Sequence, residues 1–385
     1  MKLNKDKVMM LVLSAYKHDP RPRRQAEALV EAGNHVDVIC IDLDKSPVRE
    51  VVGGVNIFRM RPWCFTSKNK LAYLFNYVVL FFASFFTLTA KFLREKPAKI
   101  VIHNMPNHLV FTAVIAKIFG ARIVLDLHDP TPELYETMFQ SNKGLLYRLL
   151  LIEEKISCRF AHHLITVNEV FAQRVKERVN RDLFVVLNAP DVQWLKGDDR
   201  PRNENGKVTL YHHGNIHHRC GIDRILPALK TLLDENLPVE VEVHGGGPFL
   251  AEVERVANDL KVSDHCTFGG RYPSEELAKR MENADIGLVT NRTSPFATLC
   301  MPIKLLEYVE CKLPVICTRM ETANYYFDET MVYFFDDESE IPALVKRIMN
   351  NPAEVKSKTE KAYAKYQEIT WAAQKPKYQT FIQNA

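Results

Sequence analysis

Val8-Met9-Met10-Leu11-Val12-Leu13, a helical stretch over 25–32 stopped by Gly33-Asn34, and a second apolar stretch from His35 to Ile41 decide the fold. The first run is apolar without alternation, the mark of a strand buried on both faces of a parallel sheet. Strand, loop, helix and strand in succession make a βαβ unit. The loop over 14–24 holds no glycine. The Gly-x-Gly-x-x-Gly that lets a dinucleotide pyrophosphate approach the backbone is therefore absent, which disfavours an NAD or FAD enzyme.

Working outward, the alternation repeats. Strands are predicted over 99–104, 122–127, 163–167 and 183–187, with helices over 109–119 and 145–160. The polar stretch 198–207, carrying Pro201 and Gly206, reads as a linker. Strands then restart at 208–212, 239–244, 266–272, 284–289, 314–318 and 331–335, with helices between them. Helix is also expected over 353–374. The fold class is α/β, with two doubly wound Rossmann-like domains, 1–197 and 207–360, facing a central cleft. Residues 361–385 are expected to form a helical segment that crosses back to the first domain.

Composition agrees with a soluble protein, since 46% of the 385 residues are apolar and 25% charged. The eight cysteines are scattered with no Cys-x-x-Cys pair, which argues for reduced thiols in a cytoplasmic protein and against a zinc site. The N-terminus reads as no signal peptide. Residues 1–100 hold 17 Lys and Arg against 9 Asp and Glu, while the rest hold 34 against 38. A basic first quarter could face a membrane surface or a phosphorylated acceptor, or be simply a solvated face. Nucleic acid is not expected, because no recognised binding module is present. Asp42-Leu43-Asp44 has a form used by some metal-dependent sugar-nucleotide enzymes, but a solvated loop explains it better. The uncharged run 71–90 carries five phenylalanines and reaches the ~20 residues of a membrane span. It is read as a helix packed on the sheet, with peripheral membrane contact through its aromatic face as the lesser alternative.

Two stretches carry chemistry. His128-Asp129-Pro130 directly follows a strand, at the end where open α/β sheets bind ligands. Met301-Pro302-Ile303-Lys304-Leu305-Leu306-Glu307 places a proline at a helix start, where free amides and the dipole attract an anion. Lys304 adds a cation there and Glu307 sits one turn on, so phosphate followed by hydroxyls describes a nucleoside diphosphate. Asp19, Arg21 and Arg24 in the first loop are candidates for an acceptor or a phosphate.

In order along the chain these motifs, with Asn188-Ala189-Pro190-Asp191, the 214–223 segment and Gly245-Gly246-Gly247-Pro248, resemble the GT-B-fold retaining glycosyltransferases of glycosyltransferase family four. The resemblance implies transfer from a nucleotide-sugar donor to a glycan or lipid-linked acceptor, in polysaccharide or glycolipid synthesis, at the inner face of the cytoplasmic membrane. It implies catalytic roles for His128, Arg219 and Lys304. Donor contacts would come from Gly214, Asn215, Arg271, Tyr272, Pro302, Ile303 and Glu307, and acceptor-side contacts from Asp19, Arg21 and Asp129. Neither cofactor nor metal is implied. Two positions depart from the pattern. Leu299 stands where a donor-binding glutamate is common, and Cys220 where a lysine is common. Ser294, Thr298 or the amides of 299–302 would then read the sugar. His212, His213, His217 and His218 read as loop histidines beside a phosphate pocket. A non-catalytic nucleotide-sugar-binding subunit, or an enzyme that isomerises or hydrolyses the donor, are the rival readings.

Overall fold

A computed structural model describes residues 1–41, 46–61, 70–139, 144–190, 206–272 and 276–385. The Asp42-Leu43-Asp44 motif, Asp191 and most of the expected linker lie outside them. Contacts divide the chain into two units, 1–187 with 374–385, and 188–373.

Unit 1 is built on eight strands: β1 Asn4–Leu11, β2 His35–Ile41, β3 Arg49–Val52, β4 Val55–Met60, β5 Pro97–His103, β6 Arg122–Leu127, β7 His163–Thr166 and β8 Phe184–Val185. They lie in the order β3-β4-β2-β1-β5-β6-β7-β8, all parallel except the β3–β4 hairpin. The apolar run behaves as its pattern demands, since Val8, Met9, Met10 and Leu11 are wholly buried. The hairpin escaped the sequence reading. Its signal was Val51-Val52-Gly53-Gly54-Val55, where both glycines take positive φ as a type I′ turn requires. The expected helix over 109–119 is a 3-10 segment, Asn107–Ala113, running into a short helix, Val114–Ile118.

Unit 2 carries β9 Val208–Asn215, β10 Val239–Gly246, β11 Cys266–Gly270, β12 Ile286–Val289, β13 Val315–Thr318 and β14 Tyr333–Phe335. Their order is β11-β10-β9-β12-β13-β14 and every pair is parallel. In each unit the strand order reverses direction once, between β1 and β5 and between β9 and β12. Ligands of open α/β sheets bind outside the strand ends at that point.

The triple glycine is not a free loop. β10 continues through Gly246, pairing Gly245 with Gly214 and Gly246 with Asn215. A Cβ on Gly245, whose φ is +148°, would collide with the Gly214 carbonyl oxygen. The C-terminal helical stretch also differs from expectation, breaking into Pro352–Gln367 and Trp371–Asn384.

Candidate functional site

At the switch point of unit 2, β9 ends in His212-His213-Gly214-Asn215, and the helix Ile303–Glu310 leads from β12 toward β13. Pro302 is the N-cap residue and is buried, while Ile303 is 39% exposed at the first turn. Lys304 Nζ lies 3.2 Å from His212 Nε2. The ammonium can only donate, so Nε2 accepts and the imidazole proton rests on Nδ1. Burial, with Lys304 beside it, keeps His212 neutral. Burial also lowers the Lys304 pKa, with Glu307 partly opposing. Among the described residues no carboxylate pairs with this lysine, so the site holds a desolvated cation without its anion.

Glu307 is the complementary case. Its Oε2 lies 3.3 Å from His213 Nε2. Burial pushes the carboxyl up to about 7 against the pull of Lys304. Burial, with Lys304 and His244 adding to it, brings His213 down to about 3. Nδ1 of His244 is buried without a hydrogen-bond partner, while buried His213 Nε2 has only Glu307 Oε2 beside it. Such orphaned polar atoms are costly unless a ligand or water meets them. His212 and His213 are therefore buried strand residues, not the loop histidines the sequence suggested. His217 and His218 do lie at the 3-10 turn that follows β9.

The other residues expected on the donor side are dispersed around this core. Gly214 takes φ +103° and Asn215 is exposed at the β9 end. Arg219 is exposed, with its guanidinium 5.9 Å from the Phe296 ring centre, and is not hydrogen-bonded to Lys304. Its carbonyl accepts from Arg292 N at 2.9 Å, and Gly221 packs so closely on Thr290 that a Cβ there would strike the carbonyl oxygen. Arg271 lies against Gly246, where a Cβ would come within 2.7 Å of its Nε. The Tyr272 hydroxyl is 3.4 Å from that of Tyr211. Leu299 is fully buried in a 3-10 turn, so its side chain packs and does not reach a ligand. Ser294 Oγ accepts from Ala297 N of its own loop at 3.0 Å, and Thr298 Oγ1 accepts from Glu321 N at the start of the helix Glu321–Tyr326 at 3.2 Å, so both expected sugar readers already hold backbone amides.

At the switch point of unit 1 the partner of His128 is not the adjacent Asp129. His103 and Asp126 are in register on β5 and β6, and both are fully buried. His128 Nε2 lies 3.0 Å from His103 Nδ1 and 3.3 Å from Asp126 Oδ2, which leaves Nδ1 for other partners. His103 is brought down to about 3, by burial first and then by His128. Burial raises Asp126, but Arg21 and His128 outweigh it and hold the carboxyl well below its usual range. Sequence reasoning missed His103 and Asp126 because only strand register brings them together.

Arg21 requires a correction. It is 4% exposed, its Nη2 lies 2.8 Å from Asp126 Oδ1, and its Nη1 donates to Val186 O at 2.7 Å. It serves the core of unit 1 and does not face an acceptor. Asp19 Oδ2 accepts from Ser14 Oγ at 2.7 Å ahead of the helix Pro20–Glu31, and the Asp129 carbonyl accepts from Asn104 Nδ2 at 3.3 Å. His103, Asp126 and His128 offer ligand atoms within 4.8 Å of one another. However, Arg21 and Gln25 Nε2, at 2.7 Å, already occupy the carboxylate oxygens, and the guanidinium repels a second cation.

Residues 19–189 match the family model described as Glycosyl transferase 4-like domain, and residues 196–368 that described as Glycosyl transferases group 1. The GDP-mannose-dependent alpha-(1-6)-phosphatidylinositol monomannoside mannosyltransferase of Mycolicibacterium smegmatis is 32% identical over 103 residues, 26% of this chain. That match spans about a quarter of the relative, 27% of its length. The chitobiosyldiphosphodolichol beta-mannosyltransferase of Debaryomyces hansenii is 21% identical over 343 residues, 81% of this chain and 72% of that one. Among solved structures, the sucrose-phosphate synthase of Thermosynechococcus elongatus aligns with a TM-score of 0.79 at 15% identity, covering 98% of each chain. The Anabaena HepE protein, solved in complex with UDP, aligns with a TM-score of 0.70 at 13% identity over 98% of each. Identities this low make these two structures evidence of shared fold alone.

Proposed function

The chain belongs to the GT-B-fold group 1 glycosyl transferases, and from that membership we propose that it moves a hexose from a nucleoside diphosphate-sugar to a hydroxyl acceptor, retaining the anomeric configuration. The observation that carries the reading is Lys304, a partly buried ammonium with no carboxylate in ion-pair distance among the described residues, at a helix start one turn from Glu307. In this reading Lys304, Arg219 and the amides after Pro302 take the diphosphate, and Glu307 takes the ribose hydroxyls. Stabilising the departing diphosphate would supply most of the rate. No carboxylate pair is assigned as acid and nucleophile, so the leaving phosphate takes the acceptor proton on the front face. His128 is assigned to the acceptor side, and no resident metal is needed where cations and a helix dipole offset the charge.

GDP-mannose is the first donor to test, because the mycobacterial relative is named as dependent on it. The acceptor class is a glycan or lipid-linked glycan of polysaccharide or glycolipid synthesis, met at the inner face of the cytoplasmic membrane. The two relatives are named for α and β linkages, so the product's configuration by NMR tests retention directly. A thermal-shift panel of nucleotide sugars tests the donor, since a ligand bound only by the native state raises Tm. No shift with any GDP- or UDP-sugar overturns the donor site. The buried, apolar Leu299 favours one rival, a nucleotide-sugar-binding subunit without turnover. Donor binding with no nucleotide release across an acceptor panel would select it, and product without acceptor would select hydrolysis or isomerisation.

A further inference from the structure

Of the 19 large hydrophobic residues exposed among the described positions, 14 lie on the helical segments between β4 and β7, and unit 2 exposes only Ile303 and Tyr325. Those segments connect parallel strands that advance in one direction across the sheet. Right-handed crossovers therefore set them on the same face. Side chains join them: the Phe81 ring is 6.0 Å from His108, and His108 Nδ1 is 3.0 Å from Glu153 Oε1.

The helix Leu145–Phe160 has a divided surface. At about 100° per residue, Leu145, Leu149, Ile152 and Ile156 fall within roughly 60° of one another. All four are exposed, from 49% to 76%. Arg148, Lys155 and Arg159, also exposed, line the strip beside them. Of the helix's two acids, Glu153 on the other flank of the stripe is held by His108 and Asn107, and Glu154 is buried against Arg178. On the helix Lys70–Glu95, Phe75, Phe82, Phe86 and Leu93 form a second exposed row. That helix was expected to pack on the sheet, yet only 17% of its most apolar window is buried. It is long and apolar enough to cross a bilayer. Its C-terminal end is nonetheless tied to the fold, with Phe92 fully buried and Glu95 2.8 Å from Lys7 of β1.

We propose that this face of unit 1 lies in the interface of an anionic lipid bilayer, with the leucine and isoleucine row in the acyl boundary and the Arg148–Lys155–Arg159 row among headgroup phosphates. An apolar stripe flanked by cations is the composition of a helix lying in the membrane plane. Charge selects the occupant, because two copies pressed together here would bring like charges into contact, whereas an anionic surface complements them. The inference is independent of the transfer chemistry.

The full chain is tested by cosedimentation with phosphatidylglycerol-containing vesicles against pure phosphatidylcholine. The expected result is partition onto the anionic vesicles that falls with added salt. Leu149→Glu with Ile152→Glu should weaken it at least ~tenfold, and Arg148→Glu with Lys155→Glu should abolish the preference for phosphatidylglycerol. All four positions are exposed, and circular dichroism melting checks that the variants fold. Partition no greater with vesicles than without them, or unchanged in both variants, overturns the proposal. So does a concentration-dependent dimer that Leu149→Glu dissolves while vesicles are ignored. A missing nucleotide-induced Tm shift in the same preparation would instead count against the transfer reading alone.

Discussion

Lys304 and Glu307 stand three residues apart on one helix, and burial acts on them in opposite senses. It works against the ammonium of one and against the carboxylate of the other. Replacing Lys304 by Met removes a partly buried cation with no carboxylate in ion-pair distance among the described residues and keeps most of its volume. The ligand-free protein should gain stability, on the order of 1–2 kcal/mol, while donor turnover collapses. A variant that melts lower yet turns over normally would show that the lysine is only structural. Glu307 carries a pH signature. Its folded value of about 7 lies above the ordinary 4.5, so folding takes up a proton between the two. That contribution is present below pH 4.5 and is lost as pH rises through about 7, roughly 3 kcal/mol in all. Melting of the ligand-free chain should show this fall, and Glu307→Gln should flatten it. His213 has the opposite sign, its contribution being present above 6.5 and lost as pH falls toward about 3. In unit 1, Arg21→Met leaves the buried Asp126 carboxylate without its guanidinium, with only Gln25 and His128 beside it, and an expected loss of about 3–5 kcal/mol. Denaturant titration measures it, and a loss under 1 kcal/mol would contradict the buried pair.

The elements that position these residues are held by close backbone approach. β9 and β10 stay paired through Gly245 and Gly246, so the strand ends reach further than the triple glycine suggested. Gly245→Ala places a methyl against the Gly214 carbonyl in a backbone conformation that L residues rarely adopt. It should destabilise unit 2 by about 2–3 kcal/mol and displace Arg271, which rests on Gly246. Thermal unfolding gives the first effect and the nucleotide Kd the second. An alanine variant with unchanged Tm would mean that the strand ends relax without cost. The helix Ile303–Glu310 is anchored from its other side, where the fully buried Tyr308 donates its hydroxyl to Tyr211 O at 3.1 Å. Lys304 stands one turn before Tyr308 on the same helix face, so the contact that fixes Tyr308 on β9 also sets Lys304 beside His212.

On the scale of the whole chain, the segment 374–385 belongs with unit 1 although it follows unit 2 in sequence. Gln374 Oε1 accepts from Leu187 N at 2.5 Å, Gln379 Nε2 donates to Ala28 O at 2.7 Å, and the Phe381 ring stacks on Phe184 at 4.3 Å. Tyr378 and Ile382 are fully buried. Truncation after 373 should remove several kcal/mol from unit 1. Hydrogen exchange would then speed up in β1, β5 and β6 while β9–β14 keep their protection, and a uniform change would refute this division. The α/β class, the repeated strand–helix alternation and the phosphate-suited helix start were legible in the chain. Each depends on runs of neighbouring residues, whose burial period and capping chemistry are local. The Asp126–His103–His128 group, the neutral histidines behind Lys304 and Glu307, and the burial of Arg21 were not legible. They depend on strand register and on which side of a sheet each residue faces, so residues far apart in sequence meet only after the strands pair. The sequence by itself determined the architecture and raised the expectation of a nucleoside diphosphate at the 303–310 helix. Only the tertiary structure decided which charges there are buried, because desolvation belongs to a packed site and not to a residue type.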